Sequence, residues 1–273
     1  MTNGQDVQIH VLDSITKLTD AHRGQVIVAA SHGAEYAAYL AAKGRARAVI
    51  LNDASVGKDN AGISGLPYLD ALGIAAATVG YLSARIGDGN DMEERGTISY
   101  ANTTATTLGC AVGQSCVDCA GFMLGATAIS VYPAPQTENR MLLRETPDEP
   151  PVWGLDSASL ATPEDANHIV ICGSHGEALG GMPETAFRYD AVALVFNDAG
   201  IGIDSAGTSR LPALDGRDIP AATVSAASAR IGDAKSIYED GEISRVNESA
   251  AARGCQPGQS TATFVDAIIT SLK

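Results

Sequence analysis

A chain that carries one long motif twice is constrained to fold as two related halves. Residues 52–88 read NDASVGKDNAGISGLPYLDALGIAAATVGYLSARIGD, and residues 197–233 read NDAGIGIDSAGTSRLPALDGRDIPAATVSAASARIGD. They align without a gap at a spacing of 145, with 23 of 37 positions identical. The correspondence extends both ways. Leu12-Asp13-Ser14 matches Leu155-Asp156-Ser157, and Ser31-His32-Gly33 matches Ser174-His175-Gly176, both at an offset of 143. Asn102 and Gly109-Cys110 recur as Asn247 and Gly254-Cys255. Such a period is too long for a solenoid and fits a duplicated domain. The expected boundaries are a first α/β repeat over 1–130, a Pro-rich linker or wrapping arm over 131–154 (YPAP, ETPDEPP), and a second repeat over 155–273.

Within a copy, short apolar runs alternate with amphipathic stretches. Val26–Ala30 is β-branched and lacks polar alternation, the pattern of a strand buried on both faces. Glu35–Lys43 holds strong helix formers and stops before Gly44. Strands follow at Ala48–Leu51 and Ile74–Val79, with a short helix over Leu66–Leu72 between them. Helices are expected near 97–108 and 115–126, again near 242–252 and 260–272, and a diverged helical stretch at Glu177–Thr185. Strands alternating with helices imply parallel βαβ units. The expectation is an α/β fold of two tandem duplicated Rossmann-like halves related by a pseudo-two-fold axis.

Charge narrows the partners. With a formal net charge of −14, the chain would repel a phosphate backbone, so nucleic acid is not an expected partner. Basic residues form no dense run and no apolar stretch spans a bilayer, so no membrane role is expected. The N-terminal residues lack a signal-peptide pattern. Five cysteines show no framework spacing. A cytoplasmic protein with free thiols follows as the expectation, and a duplicated chain leaves a homo-oligomer open.

Parallel α/β sheets bind ligands at the carboxyl ends of their strands. Ser31-His32, Asn52-Asp53 and Ser83-Ala84-Arg85 fall there, as do Ser174-His175, Asn197-Asp198 and Ser228-Ala229-Arg230. His32 and His175 fit a general base near neutral pH. Asp53 and Asp198 would orient them, and Ser83 and Ser228 would attack or position water. Arg85 and Arg230 suit a substrate carboxylate, with Asn52, Asn197, Ser31 and Ser174 as further binding groups. Asn, Asp and Ser also serve as turn and cap residues, so a structural role stands beside each assignment. Cys110 and Cys255 suit packing better than chemistry.

The expected function is cofactor-independent hydrolysis of a small anionic amide- or ester-like metabolite. The lower-ranked possibilities are a metal-dependent hydrolase using a divalent ion on the same His and Asp residues, a two-domain isomerase, racemase or lyase, and a binding or assembly protein without catalysis.

Overall fold

A computed structural model describes residues 6–129 and 132–273. It is a mixed α/β structure with two mostly parallel sheets, of five and six strands. The chain divides into two compact units, Met1–Asp53 with Ile63–Gln136, and Ala54–Gly62 with Thr137–Lys273. No helix among the described residues is long and apolar enough to cross a membrane.

The first unit's sheet contains β1 (Ile9–Leu12), β2 (Val26–His32), β3 (Ala48–Asn52), β4 (Ala75–Val79) and β5 (Ile98–Ala101), in that spatial order. The first four are parallel and β5 is antiparallel to β4. Both faces of the central strands are apolar because both are covered. Ile27, Val49 and Leu51 pack beneath α1 (Glu35–Lys43) and α2 (Gly65–Ala71). Val28, Ile50 and Val79 pack beneath α3 (Gly89–Arg95), α4 (Thr103–Thr107) and α5 (Cys116–Met123).

This strand order is sequential, without the reversal that marks a doubly wound Rossmann sheet. Connections of one hand between successive parallel strands then fall on one face. The β1–β2 connection through Ile15, with α1 and α2, does so. The opposite face is covered only because the chain crosses the sheet after β4, over 80–88, to start α3.

The second unit repeats this plan. Strands β7 (Val152–Leu155), β8 (Ile169–His175), β9 (Ala193–Asn197) and β10 (Ala221–Val224) are parallel, and β11 (Ile243–Val246) is antiparallel to β10. Helix α6 (Arg210–Asp215) covers one face; α7 (Ala234–Asp240), α8 (Glu248–Ala251) and α9 (Thr261–Ser271) cover the other. A sixth strand, β6 (Arg140–Arg144), pairs antiparallel with β7. It lies inside the expected linker, whose residue 131 falls outside the described residues. Arg140 bonds bidentately to the fully buried Asp165 at 3.0 and 2.8 Å and stacks over Trp153, which fixes this edge.

Three local expectations are corrected. Residues 98–101 and 243–246 are edge strands rather than helix, antiparallel to β4 and β10; a bulge in each pairing breaks the alternation of two, so Ile98 is buried while Tyr100 is exposed. Their serines bond across to β4 and β10, Ser99 to Thr78 at 3.1 Å and Ser244 to Thr223 at 3.0 Å. The stretch Glu177–Thr185 forms two single turns and no α-helix, because Gly180 and Gly181 adopt positive φ and Pro183 follows. This divergence has a packing counterpart. In the first unit a Cβ at Gly65 would stand 2.5 Å from Ala38 of α1. Its counterpart in the second unit is Arg210, whose buried guanidinium bonds the carbonyls of Glu177 and Ala186 over the Phe196 ring.

Asn102 and Asn247 are the strongest structural repeats. Asn102 Oδ1 accepts from Ala76 N at 3.0 Å and Ala105 N at 2.9 Å, while Nδ2 donates to Ile74 O at 2.8 Å. Asn247 does the same with Ala221 and Ala250 N and Ile219 O. Each caps a helix and pairs with backbone groups at the start of β4 or β10. Removing either leaves several buried groups unpaired, each costing about 1–3 kcal/mol. We therefore expect Asn102→Ala or Asn247→Ala to lower stability by about 2–5 kcal/mol in urea denaturation. A loss under about 0.5 kcal/mol, the scale of an ordinary surface change, would refute the role.

Candidate functional site

In each unit the repeated polar residues gather at the carboxyl ends of the parallel strands. His32 pairs in register with Asn52, and His175 with Asn197. Both asparagines are fully buried, and Asp53 and Asp198 nearly so. The geometry shows what occupies most of them, namely the segment that crosses the sheet. Asn197 Nδ2 donates to Ala229 O at 3.1 Å, and Asn52 Nδ2 to Ala84 O at 3.5 Å. Asp53 Oδ1 accepts from Tyr81 N at 3.0 Å; Asp198 Oδ1 accepts from Ala226 N at 2.9 Å and Gly200 N at 2.8 Å. Asp13 Oδ1 receives Gly89 N at 3.2 Å, and Asp156 Oδ1 receives Ala234 N at 3.0 Å. Asp88 and Asp233 cap α3 and α7.

The serines are similarly engaged. The hydroxyls of Ser83 and Ser228 donate to Gly80 O and Ser225 O, both at 2.8 Å. They accept from Thr97 N at 3.0 Å and Glu242 N at 2.9 Å. Ser31 and Ser174 accept the amides of Ile15 and Ala158, both at 3.0 Å, holding the preceding connection. Arg85 lies against Asp88 and Asp91, at 3.5 and 3.9 Å. Arg230 bonds Asp233 at 2.9 Å and Asp59 at 3.0 Å. Lys58, next to Asp59, reaches Asp240 at 2.9 Å within the same unit. A substrate carboxylate at either arginine would have to exchange with these half-exposed ion pairs, which hold little energy.

Each histidine meets the backbone through Nδ1. His32 Nδ1 accepts from Ala34 N at 3.4 Å, and His175 Nδ1 from Glu177 N at 3.3 Å. An accepting Nδ1 places the proton of a neutral ring on Nε2. Burial pulls the His32 imidazole from 6.5 down to about 4, so it is neutral at pH 7. Such a ring offers Nε2–H as a donor to a developing oxyanion, whereas the sequence reading had it as a base.

Beside these residues the backbone is strained. Ala54, Ser55 and Val56 have φ of 46°, 61° and 65°, followed by Gly57 at 68°. Ala199, Gly200, Ile201 and Gly202 repeat this at 48°, 79°, 66° and 71°. A left-handed conformation costs about 1–2 kcal/mol per non-glycine residue, and a β-branched side chain there is a true outlier. Strain of this kind collects at functional sites.

One acid escaped the sequence reading. Burial, and then the Asp156 carboxylate, push the Glu138 carboxyl from 4.5 up to about 7, while the Ser157 hydroxyl bonds it. Asp156 and Ser157 follow β7, so Glu138 stands at the same end of the second sheet as His175. It lies in the non-repeated join, where comparison between copies is blind. Buried Arg210 was equally hidden, its only signal being the exchange of Gly65 for Arg.

All five cysteines are free and buried. Burial raises Cys116 to about 12 and Cys255 to about 11, which leaves no thiolate at neutral pH. Among the described residues, no three His, Cys, Asp or Glu side chains come together as a metal-ligand set. Comparison with family models, with curated proteins and with solved structures finds no match.

The depressed His32 value has a testable sign. A base whose folded pKa lies below its unfolded value favours unfolding when protonated. The stability it supports is whole above 6.5 and is lost as pH falls toward about 4. We expect His32→Asn, which keeps an acceptor for Ala34 N, to flatten the acid-side loss of stability in urea titrations at successive pH values. An unchanged slope would mean that His32 is not desolvated.

Proposed function

We propose that the chain is a small-molecule enzyme: a cofactor-independent hydrolase of a small anionic amide- or ester-like metabolite. Its two units would be the α/β copies of one duplication, sequential in strand order rather than Rossmann-like, each working at the carboxyl ends of its own parallel strands. The observation that carries the reading is the repeated histidine, paired in register with an asparagine that a buried aspartate and a strained left-handed stretch follow in the chain. Two copies of such strain are expensive to retain for packing alone.

In this reading His175, at the same end of the second sheet as Glu138, donates Nε2–H to the substrate carbonyl oxygen, stabilising negative charge as it forms, and His32 would hold a carbonyl oxygen in the same way at the first sheet. Asp53 and Asp198 fix the loop around it. Glu138, titrating near neutrality, accepts a proton from water and returns one to the leaving group. Water closes the balance: its oxygen bonds the acyl carbon, the C–N or C–O bond breaks, and the leaving atom takes the proton. Ser83 and Ser228 position the crossing segment, and Arg85 and Arg230 meet the substrate carboxylate by exchanging an ion-pair partner.

A second reading has its own support. The bonds made by Asn52, Asp53, Ser83 and their counterparts are those of fold-defining turns, which a non-catalytic binding or assembly protein would also keep. The two readings separate in a turnover screen of carboxylated amides, esters and lactams. For the hydrolase, His32→Asn with His175→Asn is expected to lower kcat about 10²–10⁴-fold while circular dichroism stays unchanged. A rate-controlling ionisation at about 7 should disappear in Glu138→Gln. Wild-type turnover in the double histidine variant would reject the catalytic reading and leave the turn-forming one.

A further inference from the structure

A second place on the first unit has the makings of a binding site, on the face that the β1–β2 connection and α1 cover. Between the β1–β2 connection and the C-terminal end of α1 lies a cleft of about 400 Å³. That volume is in the range that small ligands occupy. Its floor is apolar, formed by Ile15 and Leu18. Arg23, Lys43 and Arg45 line its sides, with Tyr132 at the mouth. Asp20 is the acid among the lining residues.

The charge of this cleft runs against that of the chain. Acidic residues outnumber basic ones by 32 to 18, and most of the lysines and arginines are taken up in ion pairs. Among the described residues, Arg23, Lys43 and Arg45 face no carboxylate within ion-pair distance. Lys43 lies 5.7 Å from the centre of the Tyr39 ring, and the Arg45 guanidinium 3.9 Å above the Tyr132 ring. An aromatic face holds a cation in place without neutralising it.

Arg45 also occupies a backbone site suited to glycine. Its φ is 58°, just past the Gly44 cap of α1. Glycine would take this left-handed position with less strain, so the guanidinium is present despite its backbone. Nor is the cleft a by-product of duplication. At the offset of 143, Arg23 and Lys43 fall on Ala166 and Ala186, and only Arg45 meets a basic counterpart, Arg188.

We infer that this cleft binds a small amphipathic carboxylate, its apolar body on Ile15 and Leu18 and its anionic group among Arg23, Lys43 and Arg45. The inference does not rest on the hydrolase reading, since it concerns other residues and is read by binding rather than turnover. The probe is naphthoate, titrated calorimetrically into the whole chain beside neutral naphthamide and inorganic phosphate. Naphthoate is expected to bind with one site per chain, and naphthamide at least about tenfold more weakly, as the loss of a charge-assisted contact implies. Phosphate, lacking the apolar body, should bind at least as weakly as naphthamide.

Lys43→Glu combined with Arg45→Gly should weaken naphthoate about tenfold or more. The melting temperature should not fall, because glycine relieves the strained φ. Arg23→Gln, on an exposed side chain, provides an independent second loss. No naphthoate binding at millimolar concentration, equal affinity in the variants, or equal binding of naphthamide would overturn the inference. Phosphate binding as tight as naphthoate would overturn the role of the apolar floor.

Discussion

Each sheet depends on one crossing. Sequential parallel strands joined by connections of one hand place every early helix on one face, and a sheet apolar on both sides cannot leave the other face in water. The chain therefore has to pass over the carboxyl ends of its own strands before laying down α3 or α7. A segment lying there has unpaired backbone groups at a place where no ladder continues, and each must find a partner. The carboxamides of Asn52 and Asn197 and the carboxylates of Asp13, Asp53, Asp156 and Asp198 supply those partners. The glycines help by their lack of a side chain: a Cβ on Gly89 would stand 2.7 Å from the Leu12 backbone, and one on Gly173 2.4 Å from Asp156 O.

This requirement explains why the strand-end motifs agree so well between copies while α1 has no counterpart helix in the second unit. A helix on a sheet face can be exchanged for another apolar filling, as Arg210 and the turns over 179–185 show. A carboxamide that must donate to one carbonyl from one strand position cannot be exchanged, because Asp or Leu in its place would strand a buried group. Identity between copies here records hydrogen-bond geometry first.

Much of the fold was legible because burial on two faces writes itself into the chain as unbroken apolar runs. Val26–Ala30, Ala48–Leu51 and Ile74–Val79 read as central strands and are central strands. The edge strands are not legible because Ile98-Ser99-Tyr100-Ala101 is short and bulged against β4, so it shows no alternation of two. Strand order was not legible at all, since it depends on which strands pair. For the candidate site, the sequence indicates the strand ends at which these residues lie, but not what their side chains bond. Whether Ser83 is a nucleophile or a turn residue depends on the carbonyl that receives its proton. Whether His32 is a base or a donor depends on its desolvation.

The two copies therefore carry different information where they agree and where they part. Agreement at Asn52/Asn197 and Asp53/Asp198 is compelled by the crossing, so it would persist in a copy with no activity. Chemistry adds demands that the crossing does not make: a ring nitrogen left free, a carboxyl that titrates near neutrality, a cation left unpaired. The groups that could answer them are His32 at the first sheet, Glu138 at the second, and the cations around the first unit's cleft. Glu138 arrives from the segment between the repeats and Lys43 from a helix only one repeat possesses. The two units share one strand plan, and the residues outside the shared pattern are where they differ.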